Sequence, residues 1–345
     1  MTQSYHEILG NDYFGNLYQK IIASLTRGEN VCISVISGFG TKTLFNFLDF
    51  NIRKDRLFEQ VLVFDPEIEK DNLVEFTRKA ILKFPNKSRL IIVRFFEQSE
   101  HKRETLEKLD SLRRRTPKSL VFLVFTDHSA VTETGEYQAK STIFFTGIYY
   151  MEPFSKLQCE KMIKSLNFFY GWHISEKSYE KIFNLSGGIP RLVKYICKEI
   201  YESKTPIDNL EKFINSPQIS FQLELLTKLL IKLSKENLER LGLTENGKIK
   251  SKILKIYFQN YQNEIVVQIF SNLSKKESKI LTFFLENLST VISIDKIADL
   301  IEMADEDFSL WAIYKTISRL KVKVKKHFNI KNFKGQGYLL QKIDF

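Results

Sequence analysis

Ser37-Gly38-Phe39-Gly40-Thr41-Lys42-Thr43 sets two glycines, a lysine and a hydroxyl between the apolar run Val31 to Ile36 and the helical stretch Leu44-Phe45-Asn46-Phe47-Leu48. Strand, glycine turn, Lys-Thr and helix is an order that suits phosphate. The turn and the first helical residues aim backbone N–H groups at an anion, and the lysine neutralises it. Gly38, Gly40, Lys42 and Thr43 are therefore candidate ligands for a nucleotide phosphate. The loop is shortened, because Thr41 and not a glycine precedes Lys42. A second departure lies downstream, where Leu90-Ile91-Ile92-Val93 continues as Arg94-Phe95-Phe96-Glu97. Metal-assisted phosphoryl transfer needs carboxylates at the end of such a strand. Here Arg94 puts positive charge where a metal would sit, and Glu97 is the nearby carboxylate. ATP or ADP is the implied cofactor, magnesium-dependent if the site is active; if it is inactive, no cofactor is expected.

A different chemistry is written near the other end. From Leu310 to Lys334 the chain carries eight basic residues and no acidic one. Ile313, Ile317, Leu320 and Val324 recur at helical steps of four, three and four, so one face of a helix is apolar. Lys315, Ser318, Arg319, Lys323 and Lys326 fall away from that stripe. Lys321 lies nearer to it, with its stem packed and its ammonium turned outward. Lys334 and Gln336 flank Gly335 in the turn that follows. These seven residues, Lys315, Ser318, Arg319, Lys323, Lys326, Lys334 and Gln336, are candidate contacts to DNA. A basic helix face alone is more often plain solvated surface; the neighbouring elements argue otherwise.

Ser274-Lys275-Lys276-Glu277 is a capping box that opens a helix with Ile280, Leu281, Phe284 and Leu288 inward. Ser293 can cap a short second helix with Ile294, Ile297, Leu300 and Ile301 on its apolar side. Asp305-Glu306-Asp307 sits where a turn hands over to the basic helix, as the helix dipole favours. Asn329 to Ile343 reads as two strands around the glycine turn. Three helices followed by a hairpin make a winged helix. Over roughly residues 270 to 343 this part resembles the output domain of OmpR-type response regulators, on Leu273-Ser274-Lys275-Lys276-Glu277, Ile317-Ser318-Arg319-Leu320-Lys321 and Phe333-Lys334-Gly335-Gln336-Gly337-Tyr338-Leu339. The resemblance implies that the third helix enters the major groove of duplex DNA and that the wing touches the neighbouring backbone or minor groove. No phosphoacceptor receiver is visible upstream, so phosphorelay control is not implied.

The N-terminal half alternates instead. Apolar runs at Val31 to Ile36, Val61 to Phe64, Leu90 to Phe96, Leu120 to Phe125 and Thr142 to Tyr149, separated mostly by helix-like segments, predict a parallel α/β sheet. Met151-Glu152-Pro153-Phe154-Ser155 leads into a helical lid, within which stands Leu185-Ser186-Gly187-Gly188-Ile189-Pro190-Arg191-Leu192. With the opening segment Leu9 to Leu25 and the polar strand end Phe125-Thr126-Asp127, roughly residues 5 to 215 resemble the AAA+ and STAND ATPases, above all those related to the origin recognition complex. That resemblance implies an α/β P-loop sheet with a lid, and it places Arg191 toward the γ-phosphate. Arg113-Arg114-Arg115 invites comparison with an arginine finger, and equally reads as the basic end of a helix. The five histidines show no ligand spacing, and no catalytic Ser, Cys or paired-carboxylate arrangement emerges.

The expected organisation is a P-loop module over 1–150, a lid over 151–215, a helical connecting module over 216–268, itself winged-helix-like, and the winged helix over 269–345. Net charge is +11, and residues 216–345 hold 21 Lys+Arg against 14 Asp+Glu, a surplus of seven that suits a polyanionic partner. Three scattered cysteines lack zinc or disulfide spacing, no signal peptide opens the chain, and no apolar run approaches a membrane span. A cytoplasmic protein that binds double-stranded DNA in transcription regulation or DNA-transaction assembly is the expectation. The core is either nucleotide-responsive or structural, and it acts alone, as a homo-oligomer or with other protein subunits. Two alternatives stay open: an active ATPase of replication-initiator or signalling type, and a protein-interaction scaffold.

Overall fold

The computed structural model describes residues 10, 13–116, 120–138, 144–270, 272–287, 290–301, 309–325, 327–333 and 335–342. The chain divides into two compact units, Met1–Ile219 with Lys235–Lys252, and Ser220–Ser234 with Ile253–Phe345. Residues 216–268, read above as one connecting module, are thus shared between them.

In the first unit five strands, β1 (Val31–Ser34), β2 (Gln60–Phe64), β3 (Arg89–Val93), β4 (Leu120–Thr126) and β5 (Gly147–Tyr150), form one parallel sheet in the order β2-β3-β4-β1-β5. Every residue of β1, β3 and β4 is buried, as expected for apolar runs covered on both faces. Register is set by Val31 opposite Leu123 and Gly147, Phe64 opposite Val93, and Val93 opposite Val124. Helices α1 (Gly15–Thr26), α2 (Thr41–Lys54), α3 (Leu73–Lys83) and α4 (Lys102–Arg115) follow the α/β alternation. Leu73 and Val74 of α3 and Leu106 and Leu109 of α4 pack with Ile91, Val93, Leu120, Phe122 and Val124 in one cluster. The alternate strand residues face the other way, where Phe45 of α2 meets Phe125 edge-on at 5.9 Å between ring centroids.

β1, β3 and β5 are shorter than their apolar runs, whereas β2 and β4 each extend one residue beyond theirs. β1 releases the chain after Ser34, although the Val35 N–H still donates to Thr126 O at 2.9 Å. β3 stops at Val93 because Phe95 takes a left-handed backbone (φ 53°) and Phe96–Gln98 coils into a 3₁₀ turn. β5 begins at Gly147, and Thr142 lies outside the described residues.

The lid comprises α5 (Lys156–Tyr170), α6 (Tyr179–Ser186) and α7 (Pro190–Glu202). Ser155 and Gln158 form a reciprocal capping box on α5, and Pro190 supplies the preset φ of the first position of α7. Between α6 and α7, Gly188 (φ +76°) comes so close to the strand-to-lid linker that a Cβ there would strike the Phe154 carbonyl; the Phe154 N–H donates to Gly188 O at 2.8 Å. Further on, Asn246-Gly247 turns a hairpin between β6 (Thr244–Glu245) and β7 (Lys248–Ile249), both turn residues having positive φ, as a type I′ turn requires.

The second unit contains the winged helix. Its helices are α8 (Lys275–Glu286), α9 (Ile294–Leu300) and α10 (Leu310–Val324), followed by β8 (Phe328–Phe333) and β9 (Gly337–Lys342). Ser274 and Glu277 make the expected capping box, Ser293 caps α9, and Ser309 caps α10. Leu288 and Asp305-Glu306-Asp307 lie outside the described residues. Ile280, Leu281 and Phe284 of α8, Ile297 of α9, the stripe Ile313, Ile317, Leu320 and Val324, and Ile330 and Leu340 of the hairpin close one core. Each fully buried aliphatic of this kind contributes about 1.5–3 kcal/mol relative to exposure. Gly337 (φ +139°) passes so near the Ile292 carbonyl that no side chain fits. The Ile292 and Tyr338 backbones exchange hydrogen bonds of 2.8 and 2.9 Å, tying the hairpin to the chain before α9.

Candidate functional site

A cavity of about 500 Å³ opens at the C-terminal ends of β1, β3 and β4, the edge where parallel sheets place ligands. The glycine turn contributes Ser37, Gly38, Gly40, Thr41, Lys42 and Thr43 to its wall; the strand ends add Arg94, Glu97 and Asp127, and α7 adds Arg191, Lys194 and Tyr195. All five predicted phosphate ligands therefore share one cavity. Gly40 caps α2 in a left-handed conformation with no side-chain cap. The first N–H groups of α2 are thus left to whatever fills the cavity. Lys42 is exposed and pairs with no carboxylate among the described residues. On the lid side the Arg191 N–H donates to Gly38 O at 2.9 Å, and its guanidinium Nη1 lies 3.4 Å from Ser37 Oγ.

The acidic side of the cavity is weak. Glu97 Oε2 is buried without a hydrogen-bond partner among the described residues. Burial, with Asp127 adding to it, pushes the Glu97 carboxyl above its ordinary value. Asp127 accepts the Ser129 N–H at 2.8 Å and sits 3.4 Å from His128 Nδ1. Arg94 stands nearby, its Nη1 donating to Asp65 Oδ2 at 2.6 Å. Among the described residues no three His, Cys, Asp or Glu side chains gather as a metal site. Magnesium at a nucleotide is held by one or two carboxylates together with phosphate oxygens and waters; the carboxylates on this wall are Glu97 and Asp127, with the Arg94 guanidinium beside them.

Two wall residues, Lys194 and Tyr195, escaped the sequence reading, although they stand three and four positions after Arg191 and so share its helix face. Arg113 donates to the Gly28 carbonyl and Arg114 pairs with Asp110 at 2.7 Å, so two of the three arginines are engaged at the end of α4. Cys32, Cys159 and Cys197 are free and buried; burial raises each thiol, Cys159 to about 12.

On α10 the geometry separates two faces. Ile313, Ile317, Leu320 and Val324 are buried, whereas Lys315, Ser318, Arg319, Lys321 and Lys325 are exposed. Gln336 is exposed in the wing turn, and Lys326 and Lys334 lie outside the described residues. Lys323 behaves differently from its predicted neighbours: its Nζ donates to Glu277 Oε2 at 2.6 Å and to Asn272 O at 2.8 Å. That ammonium is spent on the capping carboxylate of α8 and not on the outward face. The outward face also carries Trp311 and Tyr314, 68% and 44% exposed, with the Lys315 ammonium 4.4 Å from the Trp311 ring. Their offset from the buried stripe is legible in the helical spacing of the sequence.

The molecule thus combines a parallel α/β sheet carrying a P-loop-like turn and a helical lid with a winged helix. Residues 271–340 match the family model described as transcriptional regulatory protein, C terminal, the part expected to resemble an OmpR-type output domain. No curated protein matches the chain in sequence. Among solved structures, the Thermotoga maritima RuvB Holliday junction branch migration motor overlays at 11% identity and a TM-score of 0.41, covering 98% of this chain and 94% of that one. The Aeropyrum pernix ORC1 protein in complex with DNA gives 10% and 0.37, covering 99% and 93%. The S. cerevisiae Hsp104–ADP complex gives 15% and 0.43, covering 89% of this chain and 47% of that one. Overlays this loose add nothing to the strand order, glycine turn and lid seen in the chain itself. No helix among the described residues is long and apolar enough to cross a membrane.

Proposed function

We propose that this protein is a DNA-binding regulator whose winged helix grips duplex DNA through α10, while the P-loop-like core binds a nucleotide as a signal and does not hydrolyse it. The observation that carries the DNA reading is the division of α10: an apolar stripe sealed in the core, with Lys315, Ser318, Arg319, Lys321 and Lys325 turned to solvent. Such a helix can lie in a major groove while its cations neutralise phosphates. Fluorescence anisotropy with duplex DNA across a salt series tests it. Four exposed cations, Lys315, Arg319 and Lys321 on α10 and Lys325 at its C-cap, each neutralising one phosphate, give a slope of log K against log salt of about −3.6. A flat dependence, or no binding at low salt, refutes the reading. The nucleotide reading rests on the cavity shared by Gly40, Lys42, Thr43 and Arg191; Lys42→Ala should weaken ATP binding, and equal affinity would refute it.

A second reading, docking of a protein by the same helix, is favoured by exposed Leu310, Trp311, Tyr314 and Val322, since large exposed apolar groups mark interaction surfaces. Pull-down with and without nuclease separates the two.

A further inference from the structure

We infer that the cavity binds a nucleoside triphosphate without a divalent cation, the Arg94 guanidinium supplying the counter-charge that a metal ion supplies in metal-dependent phosphate-loop sites. This rests on the nucleotide reading above and adds to it the ionic form of the ligand.

The first argument is position. Val93 ends β3 opposite Val124, and Val124 lies opposite Cys32 of β1. Arg94 therefore leaves the sheet beside the ends of β4 and β1 and lines the same cavity as Lys42 and Thr43. The second argument is that the group is held in place. Its carbon lies 5.0 Å from the centroid of Phe45 and 4.8 Å from that of Phe95. Asp65, its side chain 7% exposed, holds one edge through Nη1. Phe95 reaches its place only through a left-handed backbone, a conformation that persists in a bulky residue where surrounding contacts enforce it. A planar cation stacked on aromatic rings and anchored by one carboxylate keeps its remaining N–H donors in a fixed fork. Among the described residues those other donors have no acceptor.

The third argument concerns what the pocket would refuse. A divalent cation placed between the glycine turn and β3 would meet Lys42 and the Arg94 guanidinium, the latter paired with Asp65 on one edge, and the carboxylates on the cavity wall itself are Glu97 and Asp127. Burial also disfavours the charged form of Glu97. A triphosphate meets the opposite field, with Lys42, Arg94, Arg191 and Lys194 around it and the uncapped start of α2 beneath it. A guanidinium neutralises and orients phosphate oxygens but does not lower the pKa of a bound water as a metal does. A triphosphate held in this way is kept and not turned over. Pro190, Met162 and Tyr195 complete the wall with apolar and aromatic surface, which suits a nucleoside more than bare polyphosphate.

The test is titration calorimetry of the full chain with ATP, once in excess EDTA and once in magnesium, with inorganic triphosphate as a parallel ligand. The expected result is affinity in EDTA equal to or better than in magnesium, and weaker binding of inorganic triphosphate. Arg94→Gln, checked for folding by its thermal melt, should weaken binding in EDTA by about tenfold or more, the loss expected for a charge-assisted hydrogen bond. Arg94→Lys keeps the charge without the fork; it should fall between the two and guards against a folding defect in the glutamine variant. Binding that requires magnesium overturns the inference and leaves the nucleotide reading standing. No binding under either condition overturns both. Metal-free binding unchanged by Arg94→Gln removes Arg94 from the role, and equal binding of inorganic triphosphate overturns the nucleoside assignment.

Discussion

Replacing Lys323 by alanine should loosen the winged helix while leaving its grip on phosphate largely intact. The Glu277 side chain is 3% exposed and that of Lys323 is 26% exposed. Removing one partner of a fully buried ion pair costs about 3–5 kcal/mol. Two features reduce that here. Lys323 reaches partial solvent, and Glu277 Oε2 keeps the Ser274 N–H at 2.6 Å. A loss of about 2 kcal/mol is expected, which accelerates amide hydrogen exchange in α8 and α10 by about 30-fold when measured in the full chain. Lys321→Ala, on the exposed face, should change exchange by less than about 0.5 kcal/mol. The pH dependence follows. Burial raises the Glu277 carboxyl, but bonds from Lys323 and Ser274 outweigh it and hold the group below its ordinary value. The stabilisation is therefore present above the ordinary carboxylate range and is lost as pH falls through the lower folded value. Lys323→Ala should flatten that acid limb. Unchanged exchange, together with a loss of DNA affinity as large as that of Arg319→Ala, would refute the structural role and return Lys323 to the phosphate-binding face.

Arg319→Ala should lower the magnitude of the salt slope for DNA binding by about 0.9 if Arg319 neutralises one phosphate, with no change in hydrogen exchange of α10; anisotropy and exchange on the same variant check both halves. Ile317→Ala, which empties a site 2% exposed in the winged-helix core, should cost about 2–5 kcal/mol and appear as earlier urea unfolding followed by tryptophan fluorescence. Gly188→Ala forces a left-handed backbone on a residue with a side chain, at a cost of about 1–3 kcal/mol before the clash with Phe154 is added. It should lower the melting temperature and ATP affinity together, whereas Gly135→Ala, where a Cβ meets open space, should change neither.

The winged helix was legible because its information is local. A capping box occupies four consecutive residues, and the stripe on α10 repeats within a single element, so side-chain direction follows from spacing alone. The phosphate turn was legible for the same reason, being seven adjacent residues between a strand and a helix. Apart from Lys194, Tyr195, Trp311 and Tyr314, whose spacing is local, what escaped depends on residues far apart in the chain. Nothing near Lys323 signals that its partner is Glu277, 46 positions earlier. The setting of Arg94 draws on Asp65 after β2, Phe45 on α2 and the backbone turn at Phe95, and no periodicity connects them. The runs ending at Ile36 and Phe96 overstated their strands because apolar content persists after the ladder ends. That surplus is what buries the connections around the cavity, as Phe96 shows at 1% exposure.

Arg191 is joined to the glycine turn twice, by different parts of the same residue. Its backbone N–H is bonded to Gly38, and its guanidinium reaches Ser37 and the cavity. Alanine at this position would delete the arm and keep the backbone link. Proline would delete the arm and break the link as well, in a first helical turn where its ring meets no preceding carbonyl of the same helix. Alanine therefore shows the loss of the arm with the lid still tied to the loop, and the further change from alanine to proline, neither of which has the arm, reports the backbone link alone.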